Sequence, residues 1–354
     1  MHRCLQLALA GAGYVAPNPM VGAVLLYQNR IIGEGYHRQY GMPHAEVNCI
    51  ASVKNEDRHL ISESVMYVSL EPCAHHGKTP PCANLIIQHR IPKVVVGCRD
   101  PFPEVNGKGI EKLLAAGITV ITGVFENECR ELSRRFFIFH TQHRPFVVLK
   151  WAQSSDGAIA GTGGSAVQIS NVYTNRLVHR WRSEEAAILV GTRTALLDNP
   201  SLTTRLWPGK HPVRLVIDRH LKLSGTLQLF DAKTPTVIFN EQQHTISDSN
   251  RILSAGNWFY QVDKDVSMVE QVVNALYQLR IQCVLVEGGA QLLQSFINEG
   301  FWDEARVITN EALTIPGGIA APGLTNTIKT GEERFFSDSI AYYIPSAFRS
   351  GIKG

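Results

Sequence analysis

Two periodicities alternate along the first 140 residues. Apolar runs at 21–26 and 31–35, with Gln28-Asn29-Arg30 between them, predict a hairpin. Further short apolar runs at 65–70, 93–97 and 118–123 are bounded by polar or turn-forming residues and read as strands. Between them, 45–53, 82–89 and 109–116 place apolar residues at helical spacing. Leu5, Leu9 and Ala12 suggest an opening helix that packs through that stripe. Its stretch is too short and too poorly patterned for a signal peptide. Helices between largely parallel strands predict a three-layer α/β/α sandwich.

A charged helix over 126–140 and the polar joint Thr141-Gln142-His143-Arg144-Pro145 close this half. The expected domains are therefore 1–142 and 143–354. A second α/β pattern then follows, with strands at 146–151, 187–190, 213–218, 236–239 and 283–287 and helices at 265–280 and 290–299. With 354 residues the chain can build two separate cores.

Composition narrows the function. The net charge of +3 comes from intermixed charges, and no basic run offers a nucleic-acid track. No apolar run approaches the ~18 residues of a membrane span. Six of the seven cysteines precede residue 130. Cys4, Cys49, Cys98, Cys129 and Cys283 are expected to be buried small hydrophobes, which fits a reducing, cytoplasmic setting.

The remaining two cysteines carry chemistry. His44-Ala45-Glu46 is followed by Pro72-Cys73 and then by Cys82. One imidazole and two thiolates leave a tetrahedral zinc with one open position, where a water's pKa falls to about 7. Glu46 is then placed to carry the proton from water to a leaving amine, as in zinc nucleobase deaminases. A structural zinc knot completed by His75 or His76 is the plain alternative. Deaminases of nucleic acids usually close the site with Cys-x-x-Cys, whereas here eight residues, rich in turn formers, separate the two.

That loop closely resembles the deaminase half of the bifunctional deaminase–reductases of riboflavin biosynthesis. So do Pro17-Asn18-Pro19-Met20-Val21-Gly22, Gly33-Glu34-Gly35-Tyr36-His37, Asp100-Pro101 and Val105-Asn106-Gly107-Lys108-Gly109. The resemblance implies a cytidine-deaminase-like domain with one Zn2+ on His44, Cys73 and Cys82, and Glu46 as the catalytic acid/base. Asn18 is then either a ring contact or simply a turn residue. His75, His76 and Lys78 are expected as a lid toward the substrate phosphate.

The second half holds Lys150, Asp156-Gly157, Arg182, Thr194, Asp198, Arg205 and Val286-Glu287-Gly288-Gly289. A strand ending in Glu-Gly-Gly before a helix lets backbone N–H groups approach a phosphate, although such glycines are usually only a tight turn. Arg182 and Arg205 suit bidentate phosphate contacts, or are ordinary solvated side chains. No Gly-x-Gly-x-x-Gly follows the first strand, against a Rossmann dehydrogenase.

The order of these segments resembles the reductase half of the same family, which implies a dihydrofolate-reductase-like domain using NADPH. By position it implies cofactor contacts at Gln153, Gln168, Thr194, Asp198, Gly288, Gly289, Ala290, Gln291, Leu292 and Leu293. It implies substrate contacts at Asn18 in the first half and at Ser165, Arg182, Leu202, Arg205 and Glu287 in the second. Lys150, Asp198 and Glu287 remain open as proton donor or electrostatic support. The implied substrate is a phosphorylated pyrimidine ribosylamine, and the implied assembly a homo-oligomer through the reductase domain. Two departures stand out: Gln168 replaces a tryptophan of the family's Ser-Gln-Trp-Ile-Thr block, and 309–318 replaces its usual Pro-Lys-Leu-Gly-like segment.

Overall fold

The computed structural model describes residues 1–75, 80–246 and 254–346. The chain divides into two compact units, Met1–His143 and Arg144–Gly354.

The first unit runs α1 (His2–Leu9), β1 (Gly22–Tyr27), β2 (Arg30–Tyr36), α2 (Ala45–Ala51), β3 (Val65–Leu70), α3 (Cys82–Gln88), β4 (Lys93–Cys98), α4 (Lys108–Ala115), β5 (Thr119–Ile121), α5 (Glu126–Leu132) and α6 (Arg134–Gln142). The sheet order is β2-β1-β3-β4-β5. Its strands are only half parallel: β3–β4 and β4–β5 pair in parallel, β1–β2 and β1–β3 antiparallel. The hairpin turns on Gln28-Asn29, both at positive φ, as a two-residue connection matched to strand twist requires.

Two expectations change. The helix expected over 126–140 breaks at Ser133, and α6 buries Phe136, Phe137, Ile138 and Phe139. On α1 the buried face is Cys4 and Ala8, while Leu9 is 58% exposed. The reason is close approach: a Cβ on Gly22 would lie 2.0 Å from the Cys4 carbonyl oxygen, so small residues must face the strand. The same device seats α2, for a Cβ on Gly35 would lie 2.2 Å from the Cys49 nitrogen.

The second unit has β6 (Phe146–Ser154), β7 (Ala158–Ala160), α7 (Val172–Glu184), β8 (Ala187–Gly191), α8 (Thr192–Asp198), β9 (Val213–Ile217), β10 (Thr236–Asn240), β11 (Asn257–Gln261), α9 (Met268–Gln278), β12 (Cys283–Val286), α10 (Ala290–Asn298), β13 (Glu304–Asn310), β14 (Ile319–Ala320), β15 (Thr327–Phe335) and β16 (Asp338–Pro345). Nine strands form one sheet in the order β11-β10-β9-β8-β12-β6-β13-β16-β15. Pairing is parallel from β11 to β13 and antiparallel through β16 and β15. Its core joins Val147, Leu149, Leu189, Val284 and Val286 to Val269, Val272 and Leu276 of α9. Lys150 lies inside β6, not at a strand end.

Cys4, Cys49, Cys98, Cys129 and Cys283 are free and buried. Among the described residues no helix is long and apolar enough to cross a membrane.

Because backbone blocks the space over Gly35, Gly35→Ala must lift α2. The expected cost is about 1–3 kcal/mol of overpacking, together with weaker zinc binding, measured by denaturant unfolding and metal titration. Gly225→Ala, where a Cβ meets nothing within 4 Å, serves as the control.

Candidate active sites

His44 is the N-cap of α2, with φ −71° and ψ 171°, and Glu46 sits in that helix's first turn. Cys73 follows the end of β3, and Cys82 opens α3. The His44 Nδ1 atom lies 3.6 Å from Cys73 Sγ and 3.4 Å from Cys82 Sγ. All three donor atoms fall within 4.8 Å of one another. One nitrogen and two sulfurs suit zinc, and three protein ligands leave a coordination position open. Among the described residues His75 does not join this group; His76 and Lys78 lie outside them.

The thiol of Cys73 is pulled down to about 4, chiefly by a hydrogen bond from Cys82 and then by His44. The Cys82 backbone N–H also donates to it, at 3.3 Å. Glu46 is fully enclosed, and burial first, then the Cys73 thiolate, pushes its carboxyl up to about 7; His44 opposes this. A bound cation would favour the charged carboxylate again.

Two supporting residues drew no functional reading from the sequence. His37 holds its ring between the Pro43 carbonyl at 3.1 Å and Asn18 Nδ2 at 3.1 Å. Its ring centroid lies 5.3 Å from that of His44. Asn18 is thus both a turn residue and a side chain oriented beside the metal donors. Glu71, the residue after β3, is buried and accepts four backbone N–H bonds. Oε2 takes those of Asp100 at 3.2 Å and Gly107 at 3.0 Å, and Oε1 those of Gly109 at 2.9 Å and Ile110 at 3.3 Å. Gly109 presses against Pro72, where a Cβ would meet the carbonyl oxygen at 1.9 Å. The loop 100–110 is thereby locked to the segment that carries Cys73.

The second unit has a cleft of about 1290 Å³ along the C-terminal ends of β6, β12, β8 and β9. Lys150, Gln168, Thr194, Asp198 and Glu287 line it, as do Gly288, Gly289, Ala290, Gln291 and Leu292. Leu293 does not, being fully buried in the core. Gln153 is held between Trp151 Nε1 at 2.8 Å and Thr309 at 3.3 Å and is not among the lining residues. Ser165 is exposed, with Gly164 and Ala166 on either side lining the cleft. The Gly289 N–H donates to Thr194 Oγ1 at 3.0 Å, which ties the glycine turn to α8.

Glu287 organises the floor of the cleft. Arg182 grips it in a bidentate pair of 2.9 and 2.8 Å, and Lys150 Nζ approaches to 3.5 Å. Burial alone would raise this carboxyl; Arg182 and then Lys150 outweigh it and bring it down to about 2. Burial also lowers the Lys150 pKa, with Glu287 opposing. Arg182 is therefore committed to Glu287, contrary to the expectation of a phosphate contact. Arg205 stays exposed, and its backbone N–H donates to His179 Nδ1 at 2.9 Å. Burial first, then Arg182, pushes His179 down to about 4, which keeps it a neutral acceptor. Leu202, at φ 50°, buries its side chain with Ile188, Val190 and Val216. Any ligand contact there falls to its backbone.

A buried carboxylate beside an open three-donor metal set is the arrangement of a zinc-dependent deaminase, here followed by a second unit with a cleft of its own. Residues 1–98 match the cytidine and deoxycytidylate deaminase zinc-binding region, and residues 145–329 match the RibD C-terminal domain. The riboflavin biosynthesis protein RibD of Aquifex aeolicus is 36% identical over 94% of this chain and 93% of its own. That of Bacillus amyloliquefaciens is 38% identical over 92% and 86%. Among solved structures, the deaminase/reductase of Thermotoga maritima superposes with a TM-score of 0.86 at 36% identity, covering 98% of this chain and 97% of that one. RibD of Acinetobacter baumannii does so with a TM-score of 0.86 at 29% identity, covering 97% of each. The chain belongs to the RibD family of bifunctional riboflavin-biosynthesis enzymes.

Glu71→Gln keeps the shape but turns an amide NH2 toward backbone donors. Zinc affinity should fall by about 10- to 100-fold, as for other groups that orient metal ligands, in a chelator-competition titration. Unchanged affinity would mean that the loop holds Cys73 without the carboxylate.

Proposed function

We propose that the two units catalyse consecutive steps on one phosphorylated pyrimidine. The first is hydrolytic deamination of 2,5-diamino-6-ribosylamino-4(3H)-pyrimidinone 5′-phosphate; the second is reduction of the ribosyl group to ribityl. The burial of Glu46 beside His44, Cys73 and Cys82 carries the first step most directly. Zinc, when bound, supplies a water acidified toward neutral pH. Glu46 takes up the proton released as that water adds to the amine-bearing carbon. It then returns the proton to the departing nitrogen, so water and amine become carbonyl and ammonia. Asn18, oriented by His37, is placed to hydrogen-bond the ring.

In the second step NADPH supplies the hydride. The open-chain imine accepts it at carbon and needs a proton at nitrogen. Lys150 is the donor in this reading, because it is buried, lines the cleft and is held beside Glu287. Asp198 is exposed at the cleft wall, with a carboxyl raised by partial desolvation, and lends support to the cofactor side. Arg205, exposed on the loop that His179 holds and donating to Ser201 Oγ, is assigned to the substrate phosphate, and Ser165 to a further substrate contact. Pairing of two copies is assigned to the reductase unit, where Phe336 is 73% exposed and stacks on Tyr173.

Glu46→Gln should abolish ammonia release, by at least about 100-fold, while zinc content stays at wild-type level. NADPH oxidation with the deaminated intermediate supplied directly should persist. Loss of zinc in that variant would remove the acid/base assignment. The reductase should show an alkaline limb at a pH below the ordinary lysine value of about 10.4. The sign follows from burial: a lowered pKa means Lys150 loses its proton, and the step its donor, as pH rises through that value. Lys150→Arg should remove the limb from the pH–rate profile, and Lys150→Met should remove the activity. A limb that persists unchanged in Lys150→Arg belongs to another group.

A further inference from the structure

The cleft has two chemically different ends. Across the sheet the order β6, β12, β8, β9 puts Lys150 and Glu287 at one end and Asp218, Arg219, His220 and Lys222 at the other. Three strand spacings separate them, roughly 15 Å, which suits an extended dinucleotide. The reading of Lys150 and Glu287 as the reacting end places the hydride-bearing ring there. The adenosine half must then run toward the end of β9, and the inference below rests on that reading.

Asp218 is the residue that could hold an unmodified ribose diol through its carboxylate, yet both oxygens are committed. Oδ1 accepts the Lys222 N–H at 3.0 Å and Oδ2 the Leu223 N–H at 2.9 Å, and the residue is buried. This turn presents the side chains beyond it to the cleft. Arg219 is steadied from one side, its Nε lying 3.2 Å from Glu241 Oε1 and its carbonyl accepting the Glu241 N–H at 2.9 Å. Its two terminal nitrogens have no partner among the described residues, and neither does Lys222 Nζ. Arg193, the other arginine on the cleft, is engaged elsewhere: Nη2 donates to the Gly163 carbonyl at 2.9 Å. It also lies so close over Gly164 that a Cβ there would be 2.6 Å away. The carboxylate nearest to them, Glu241, is itself turned to Arg219 and to His220, whose Nδ1 lies 3.6 Å from Oε2. An oriented guanidinium whose terminal donors make no hydrogen bond, together with a free ammonium, makes a site for a phosphate rather than for hydroxyls.

We infer that Arg219, supported by Lys222, selects NADPH over NADH by pairing with the phosphate on the adenosine ribose. The test is direct binding to the full-length protein, read by fluorescence titration with NADPH and NADH and by displacement with 2′,5′-ADP or 5′-AMP. Arg219→Ala should weaken NADPH and 2′,5′-ADP by about 10- to 100-fold, the range for losing a charged hydrogen-bond pair. NADH and 5′-AMP should stay within about twofold. Arg219→Lys should keep part of the preference, and Arg193→Ala should leave the NADPH/NADH ratio unchanged. The inference is overturned if Arg219→Ala weakens both nucleotides equally, if it leaves the ratio intact, or if Arg193→Ala abolishes the ratio. If the wild-type protein binds neither nucleotide, the reductase reading falls together with it.

Discussion

A carboxylate taken out of water must be given partners, or it takes up a proton. In each unit one glutamate meets this constraint at the same structural position, the first residue beyond a central strand. Glu71 follows β3 and is satisfied by four backbone N–H groups of the loop 100–110. Glu287 follows β12 and is satisfied by Arg182 and Lys150. The two solutions have different consequences. Backbone donors tie a loop to a metal ligand and make a rigid wall. Cationic side chains instead bring two charged groups together on the floor of a cleft, where one of them still faces a ligand.

Glu46 shows what the same constraint produces when it is left partly unmet. It sits in the same small site as Glu71, also buried, but beside a thiolate rather than a ring of donors. Without a metal its carboxyl rises toward neutrality, and a bound cation returns it to the carboxylate that can accept a proton. The division of labour follows from environment alone: of two glutamates near one metal set, the satisfied one positions and the unsatisfied one reacts. The structure spaces them by helix and strand, with Glu46 in the first turn of α2 and Glu71 past the end of β3.

These differences also explain what could be read from the chain. His44, Cys73, Cys82 and Glu46 were legible because their chemistry resides in residue type and short spacing. The Gln28-Asn29 turn was legible because hairpin geometry is local. Glu71 was not, since its partners are backbone groups 29 to 39 positions away, and backbone donors leave no mark in a sequence. Arg182 reads naturally as an anion binder, and its engagement with Glu287 across 105 residues appears only after folding. The first helix misled for another reason. Its leucines form a plausible stripe, but Gly22 demands close approach, and Cys4 and Ala8 are the residues small enough to allow it. Beyond residue 305, β15 is the largely exposed edge strand paired with β16, so it lacks the apolar alternation that betrays a half-buried strand.

The reductase cleft adds one step to this logic. At its Glu287 end one carboxylate is shared by Arg182 and Lys150, which leaves one positive charge in excess. Its β9 end is open: Asp218 is absorbed by its own turn, while Arg219 and Lys222 retain unsatisfied donors. A parallel sheet delivers all these side chains at one edge, so cationic groups stand at both ends of the cleft, a few strand spacings apart. Gln168 lines the same cleft and donates to the Ser170 carbonyl at 2.7 Å, offering an amide where the sequence resemblance led to the expectation of an indole. The turn that engages both oxygens of Asp218 is also the one that carries Arg219 and Lys222 to the cleft.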